Sequence, residues 1–385
     1  MERIYLDHAA TTPVRAEARE AMASVQERLF GNPSSIHSWG REASAALEQA
    51  RADCAGALGA AAGDVYFVRG GTESDNLAVL GRVAMLRADG HRPPVAVTRV
   101  EHKAVLDAAH HATAREAGRL TLLEVGRDGT LDLDALDAAV ARGPSVVSIM
   151  WVNNETGMVL PVPEIAERLA GTDATVHTDA VQAVGKVPVR LDDVPLDLLT
   201  VTGHKIYGPK GTGLLFVRGG TEIAPLLHGG GQERGLRPGT EDVSGAVGMA
   251  TALRLAVEEQ EEESRRLEAL RVELETELGV RHSGLRVNAG NAPRAPHVSS
   301  LAIPGIDGQA LLMSLDLQGI AASGGSACNS GAAAASHVIS ALYGRHDSHA
   351  TVRLSLGRST TDVEVERAVD VLSEIISKLG GPEAT

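Results

Sequence analysis

Between residues 64 and 217, short apolar runs rich in β-branched residues alternate with longer stretches of helical period. Residues 65–68, 95–98, 146–152, 175–177, 198–201 and 213–217 read as strands, and 76–86 and 104–116 as helices. The strands are apolar on both faces, which predicts a mostly parallel sheet covered by helices on both sides. Such sheets bind ligands beyond the carboxyl ends of their strands, so the polar residues that follow each strand are the first candidates for chemistry. Further on, 257–278 is rich in Glu, Arg and Leu, with Leu267, Leu270 and Leu274 at helical spacing. It predicts a long amphipathic connecting helix. A small α/β segment, a loop of small residues and a final helix over 363–379 follow, and the alanine run 332–335 reads as a helix start. Leu47, Ala50, Cys54 and Leu58 share one helical face, so Cys54 is expected to be a buried small hydrophobe.

Length changes this picture by requiring more than one core: 385 residues fit a large domain with a smaller one appended. Hydrophobic residues make up 43% and charged residues 22%, an ordinary globular balance, but aromatics are only 2%. Ala, Val, Leu and Ile must therefore fill the cores. The formal net charge of -14 argues against direct contact with nucleic acid, which needs basic patches, and leaves room for a basic protein partner. No apolar stretch is long enough to span a bilayer, and the first residues lack the apolar region of a signal peptide. A cytoplasmic location is expected, away from membranes. Two cysteines, Cys54 and Cys328, cannot make a zinc site by themselves, so no metal is expected, and a cytosolic chain rarely keeps a structural disulfide.

Three segments follow strands and carry chemistry. In Arg69-Gly70-Gly71-Thr72-Glu73-Ser74-Asp75-Asn76, glycines allow close backbone approach, and Thr72 with Asp75 has capping-box spacing. A helix N-terminus there suits a phosphate, although an ordinary helix cap has the same pattern and no dinucleotide or P-loop signature is present. Asp179, in Thr178-Asp179-Ala180-Val181-Gln182, can pair with a cationic ring nitrogen or cap a helix. Lys205, in Thr202-Gly203-His204-Lys205, stands before a Gly-rich turn and can form a Schiff base, although most lysines are solvated surface residues. Together, an Asp after one strand and a Lys after the next are the two parts that a pyridoxal 5'-phosphate (PLP) site needs. Cys328 lies in a fourth segment, Gly324-Gly325-Ser326-Ala327-Cys328-Asn329-Ser330-Gly331, whose small residues suit a moving loop.

The ordered set of motifs resembles the cysteine desulfurases of the nitrogen-fixation and iron–sulfur-cluster type. These are class V aminotransferases among the fold type I PLP enzymes. The resemblance runs nearly end to end. It is carried by Tyr5-Leu6-Asp7-His8-Ala9-Ala10-Thr11-Thr12-Pro13, Gly31-Asn32-Pro33-Ser34-Ser35, Gly71 to Asn76, Glu101-His102-Lys103, Val152-Asn153-Asn154-Glu155-Thr156-Gly157, Gly203-His204-Lys205, Gly230 to Arg234, Gly324 to Cys328, and Arg353 to Arg358. It implies an α/β fold with a large, mostly parallel-sheet domain over 15–256. A smaller α/β domain, made of 1–14 and 257–385, carries the Cys328 loop. It also implies that L-cysteine is converted to L-alanine, with sulfur passed to Cys328 as a persulfide and then to an acceptor protein. Iron–sulfur assembly, tRNA thiolation and DNA phosphorothioation all begin with such a persulfide.

By the same resemblance Lys205 holds the PLP aldehyde, Asp179 pairs with the ring nitrogen, Gln182 and Asn154 face the ring oxygen, and His102 lies on the ring and shuttles protons. Gly71, Thr72, Thr202 and His204 bind the phosphate, joined by Thr240 from the second subunit of a homodimer. Asn32 and Arg353 take the substrate carboxylate. Arg69 and Thr202 stand where members often have serine. The short stretch after Arg358 departs from the longer, scaffold-docking tail of iron–sulfur members, which weakens the expectation of that partner. A selenocysteine lyase, another transferase of the same fold, and a catalytically inert sulfur-transfer partner are the alternatives.

Overall fold

The computed structural model describes residues 3–114, 119–324, 336–344, 347 and 349–380. Cys328 and the alanine run 332–335 lie outside them. Strands β1 (Ile4–Tyr5), β2 (Val65–Val68), β3 (Val95–Thr98), β4 (Leu120–Leu123), β5 (Ser145–Ser148) and β6 (Ala174–Asp179) come first. They are followed by β7 (Leu198–Thr202), β8 (Gly213–Val217), β9 (Arg286–Val287), β10 (Val298–Ile303), β11 (Ile320–Ala321) and β12 (Ala350–Ser355).

A seven-stranded sheet runs in the order β2-β8-β7-β6-β5-β3-β4. Only β8 is antiparallel to its neighbours. Every residue of β3, β5, β7 and β8 is buried, as runs without polar alternation require of a sheet covered on both faces. The edge strand β4, half-buried, has too short a run to stand out in the sequence. The expected strand over 146–152 ends at Ser148. Its continuation still follows β6, with Ile149 N donating to His177 O and Trp151 N to Asp179 O.

The helix expected from residue 76 instead begins at Gly71 and runs to Ala88, with a π-type stretch over Leu77–Gly81. Gly70, at φ 139°, precedes it in a conformation suited to glycine. The Thr72–Asp75 capping box is not formed, because Thr72 is already inside the helix. The Glu73 carboxylate instead accepts from Arg69 N at 2.7 Å. Arg69 itself pairs with Asp242 at 3.1 Å, on the surface.

A three-stranded antiparallel sheet, β12-β10-β9, and the parallel pair β1-β11 make the second substructure. Its core takes Leu267, Leu270, Leu274 and Leu278 from the helix Gln260–Arg281, which begins three residues later than expected. The last helix, Asp362–Leu379, adds Val365, Val369, Leu372 and Ile376 and is closed at its start by a Thr361–Glu364 capping box. Among the described residues no helix is long and apolar enough to cross a membrane.

Cys54 is fully buried in helix Ser38–Leu58, on the face shared with Leu47, Ala50 and Leu58. Cys54→Ser is expected to lower stability by about 1–3 kcal/mol, because a hydroxyl would be buried among apolar groups. Chemical denaturation of the two proteins measures this, with cofactor content unchanged.

Candidate active site

Five parallel strands deliver their following residues to one cavity of about 280 Å³ at the carboxyl edge of the large sheet. After β2 come Gly71 and Thr72, after β3 His102, after β5 Asn154, at the end of β6 and beyond it Asp179 and Gln182, and at the end of β7 and beyond it Thr202, His204 and Lys205. Arg353 enters the wall from β12 of the second substructure.

Lys205 ends a 3-10 turn directly after β7, and its Nζ donates to the carbonyls of Ala9 and Ala10, both at 2.5 Å. Asp179 is the last residue of β6, and its Oδ1 accepts from Val181 N at 2.9 Å. The carboxyl is buried, which raises its pKa, while the nearby His102 and Lys205 charges work the other way. Among the described residues it makes no ion pair. His102 caps helix Lys103–Thr113, with Nδ1 accepting from Ala104 N at 3.1 Å. A neutral ring in that position carries its hydrogen on Nε2. Burial lowers its pKa, with Asp179 opposing.

Gly71 lets the helix start close onto the turn after β6, since a Cβ there would stand 3.2 Å from Val181 Cγ2. The first N–H groups of the helix have no intrahelical acceptor. Beside them, Thr202 Oγ1 donates to Thr212 O at 3.2 Å. His204 Nδ1 lies 3.1 Å from Thr11 Oγ1, its pKa lowered by burial to about 4. Gln182 Nε2 donates to Ala9 O at 2.8 Å. Arg353 is 1% exposed and spans the wall, donating to Asn154 O at 2.8 Å and to Asp7 Oδ1 at 2.7 Å.

Two expected site residues are not brought to this wall. Asn32 is exposed, with Oδ1 accepting from Ser34 N at 2.9 Å, and Thr240 is exposed on another part of the chain. Sequence reasoning also missed several wall residues. Asp75, Lys103, Glu155 and His337 all line the cavity. Asp75 and the neighbouring Glu101 are buried acids, the first pushed well above the usual carboxyl range by burial and Asp179, the second up to about 8 by burial. Asp75, Lys103 and Glu155 lie within the recognised motifs, but His337 carries no sequence signal.

The donor set fits PLP. A buried acid that makes no ion pair among the described residues faces the cavity beside a lysine, and helix-start amides with Thr and His side chains offer hydrogen bonds for a phosphate.

The sequence profile of the aminotransferase class-V family matches residues 4–368. Cysteine desulfurase IscS of Dictyoglomus turgidum is 41% identical over 377 residues, spanning 98% of this chain and 95% of its own. The IscS-like cysteine desulfurase of Mycobacterium tuberculosis is 42% identical over 379 residues, spanning 97% and 96%. Among solved structures, a NifS-like protein superposes with a TM-score of 0.89 at 33% identity, covering 98% of this chain and 100% of its own. SspA in complex with cysteine superposes at 0.77 and 32% identity, covering 92% and 98%. With near-complete coverage on both sides and a cavity suited to PLP, the chain belongs to the aminotransferase class-V family and, within it, to the cysteine desulfurases.

Proposed function

We propose that this protein is a PLP-dependent cysteine desulfurase that converts L-cysteine to L-alanine and receives the sulfur on Cys328. The observation that carries this reading is the meeting of Asp179, Lys205 and Arg353 around one cavity. They supply an anion for a cationic ring nitrogen, an amine for an aldehyde, and a guanidinium for a substrate carboxylate. When bound, PLP supplies an electron-withdrawing ring that stabilises negative charge at the substrate Cα.

The chain's own residues do the rest. Asp179 holds the proton on the ring nitrogen, and its burial strengthens that attraction relative to water. The amine of Lys205 takes the Cα proton. Arg353 orients the substrate through its carboxylate. The Cys328 thiolate attacks the substrate sulfur: an S–S bond forms, the Cβ–S bond breaks, and its electron pair stays with carbon. One proton leaves the Cys328 thiol and one arrives at Cβ, so the products are alanine and a persulfide. His102 is the proton relay of this reading, and the hydrogen it can exchange is the one on Nε2, because Nδ1 is occupied by Ala104 N–H.

The reading includes a cytoplasmic homodimer and a protein acceptor for the sulfur. Thr240 of the partner subunit would complete the phosphate site, in keeping with the exposed position of this residue in the single chain. Sedimentation equilibrium is expected to give twice the 40.1 kDa chain mass. Thr240→Ala should weaken PLP binding without changing that mass. A fully active monomer would overturn the dimer. The activity itself is tested in a single turnover of yellow holoenzyme with L-cysteine. One alanine should appear for each persulfide, and mass spectrometry should place the persulfide on Cys328. Alanine without a protein persulfide would reject the scheme.

A further inference from the structure

His297 lies behind the cavity wall, immediately before β10, and is 1% exposed. Its carbonyl accepts from Leu356 N at 2.8 Å, which anchors its backbone beside the end of β12. Its Nε2 stands 3.2 Å from Gln182 Oε1. Gln182 Nε2 stands 2.8 Å from Ala9 O, the same oxygen that receives Lys205 Nζ. A backbone carbonyl only accepts, so the amide edge facing Ala9 is the NH2 edge. The edge facing His297 is then the oxygen, and His297 Nε2 must carry a hydrogen. Its Nδ1 is left as a lone pair with no partner among the described residues. Burial, followed by the charges of Lys186 and Arg353, holds this imidazole well below the usual range, so it keeps a single hydrogen at neutral pH. With one Gln182 hydrogen on Ala9, one remains, and Gln182 lines the cavity.

We propose that His297 is a positioning residue: by donating to Gln182 Oε1 it locks the amide so that its remaining N–H faces the ring of the bound cofactor. The inference rests on the PLP reading above. It ties β10 of the second substructure, the turn after β6 and the Ala9 segment into one hydrogen-bonded chain that ends at Lys205.

The test compares holoenzymes of wild type, His297→Phe and His297→Gln. Phe removes the donor, whereas a glutamine amide can reach the same place and donate. His297→Phe is expected to displace the visible absorption maximum of the bound cofactor and to raise the PLP dissociation constant about tenfold. His297→Gln should return both toward wild type. In wild type, nitrogen-15 NMR of labelled histidine, with His297 assigned by its absence from His297→Gln, should show hydrogen on Nε2 only. Unchanged binding and spectrum in His297→Phe, equal defects in both variants, or hydrogen on Nδ1 would each overturn the proposal. If His297→Phe does not fold, the glutamine variant and the NMR measurement decide. A wild-type protein that binds no PLP overturns the cofactor reading instead.

Discussion

Cys328→Ser is expected to keep its yellow colour, bind L-cysteine, and lose alanine production by about a thousandfold or more, since the reaction loses its nucleophile. The two halves of the reaction separate at this residue. Removal of the Cα proton needs Lys205 and the ring, not a thiol at position 328. Breaking the Cβ–S bond needs a nucleophile toward divalent sulfur. A serine hydroxyl is poor at that and ionises far less readily than a thiol with a pKa of about 8.5. Cys54 is the internal control: burial pushes its thiol pKa far up, and it sits in a helix face with no access to the cavity wall. Alanine release and persulfide mass spectrometry on both serine variants measure the difference. An active Cys328→Ser beside an inactive Cys54→Ser would mean that the sulfur acceptor had been misassigned.

Lys205→Ala is expected to abolish the covalent hold on PLP and to take desulfurase activity below detection, while some PLP remains through its phosphate contacts. The cavity makes the measurement more demanding than the sequence implied, because Lys103 lines the same wall. Lys205 is nonetheless the lysine that follows the interior strand β7, and its charge reaches both Asp179 and His102. Borohydride reduction of wild type followed by peptide mapping should label Lys205. Label on Lys103 would move the cofactor attachment and reject the assignment. Loss of activity in Lys205→Ala can arise from lost attachment or from the lost base. An added small amine separates the two, restoring turnover only if proton transfer is the missing function.

Much of the site was legible because strand-following polar residues converge by geometry alone. Asp179 and Lys205 were placed after successive apolar runs, and those runs pair as adjacent parallel strands, β6 and β7. Asn32 and Thr240 were expected from the family resemblance rather than from strand order; they are not on the carboxyl edge of the sheet and stay exposed in the single chain. Local spacing did fail for the Thr72–Asp75 pair. Spacing alone marked a capping box, but Gly70 starts the helix earlier and turns Asp75 inward, where its Oδ1 has no hydrogen-bond partner among the described residues.

Periodicity and motif order alone determined the alternating α/β class, the parallel character of the large sheet, the burial of Cys54 and the family resemblance. These properties follow from side-chain pattern, which repeats locally along the chain. Tertiary structure decided what depends on residues far apart in sequence. Arg353 reaches Asp7 across nearly the whole chain and Asn154 across about half of it, and His297 reaches Lys205 only through Gln182 and Ala9. The raised pKa values of Asp75 and Glu101 were equally hidden. A carboxyl's pKa is set by the water it loses and the charges brought beside it, and neither exists until the sheet has closed over them.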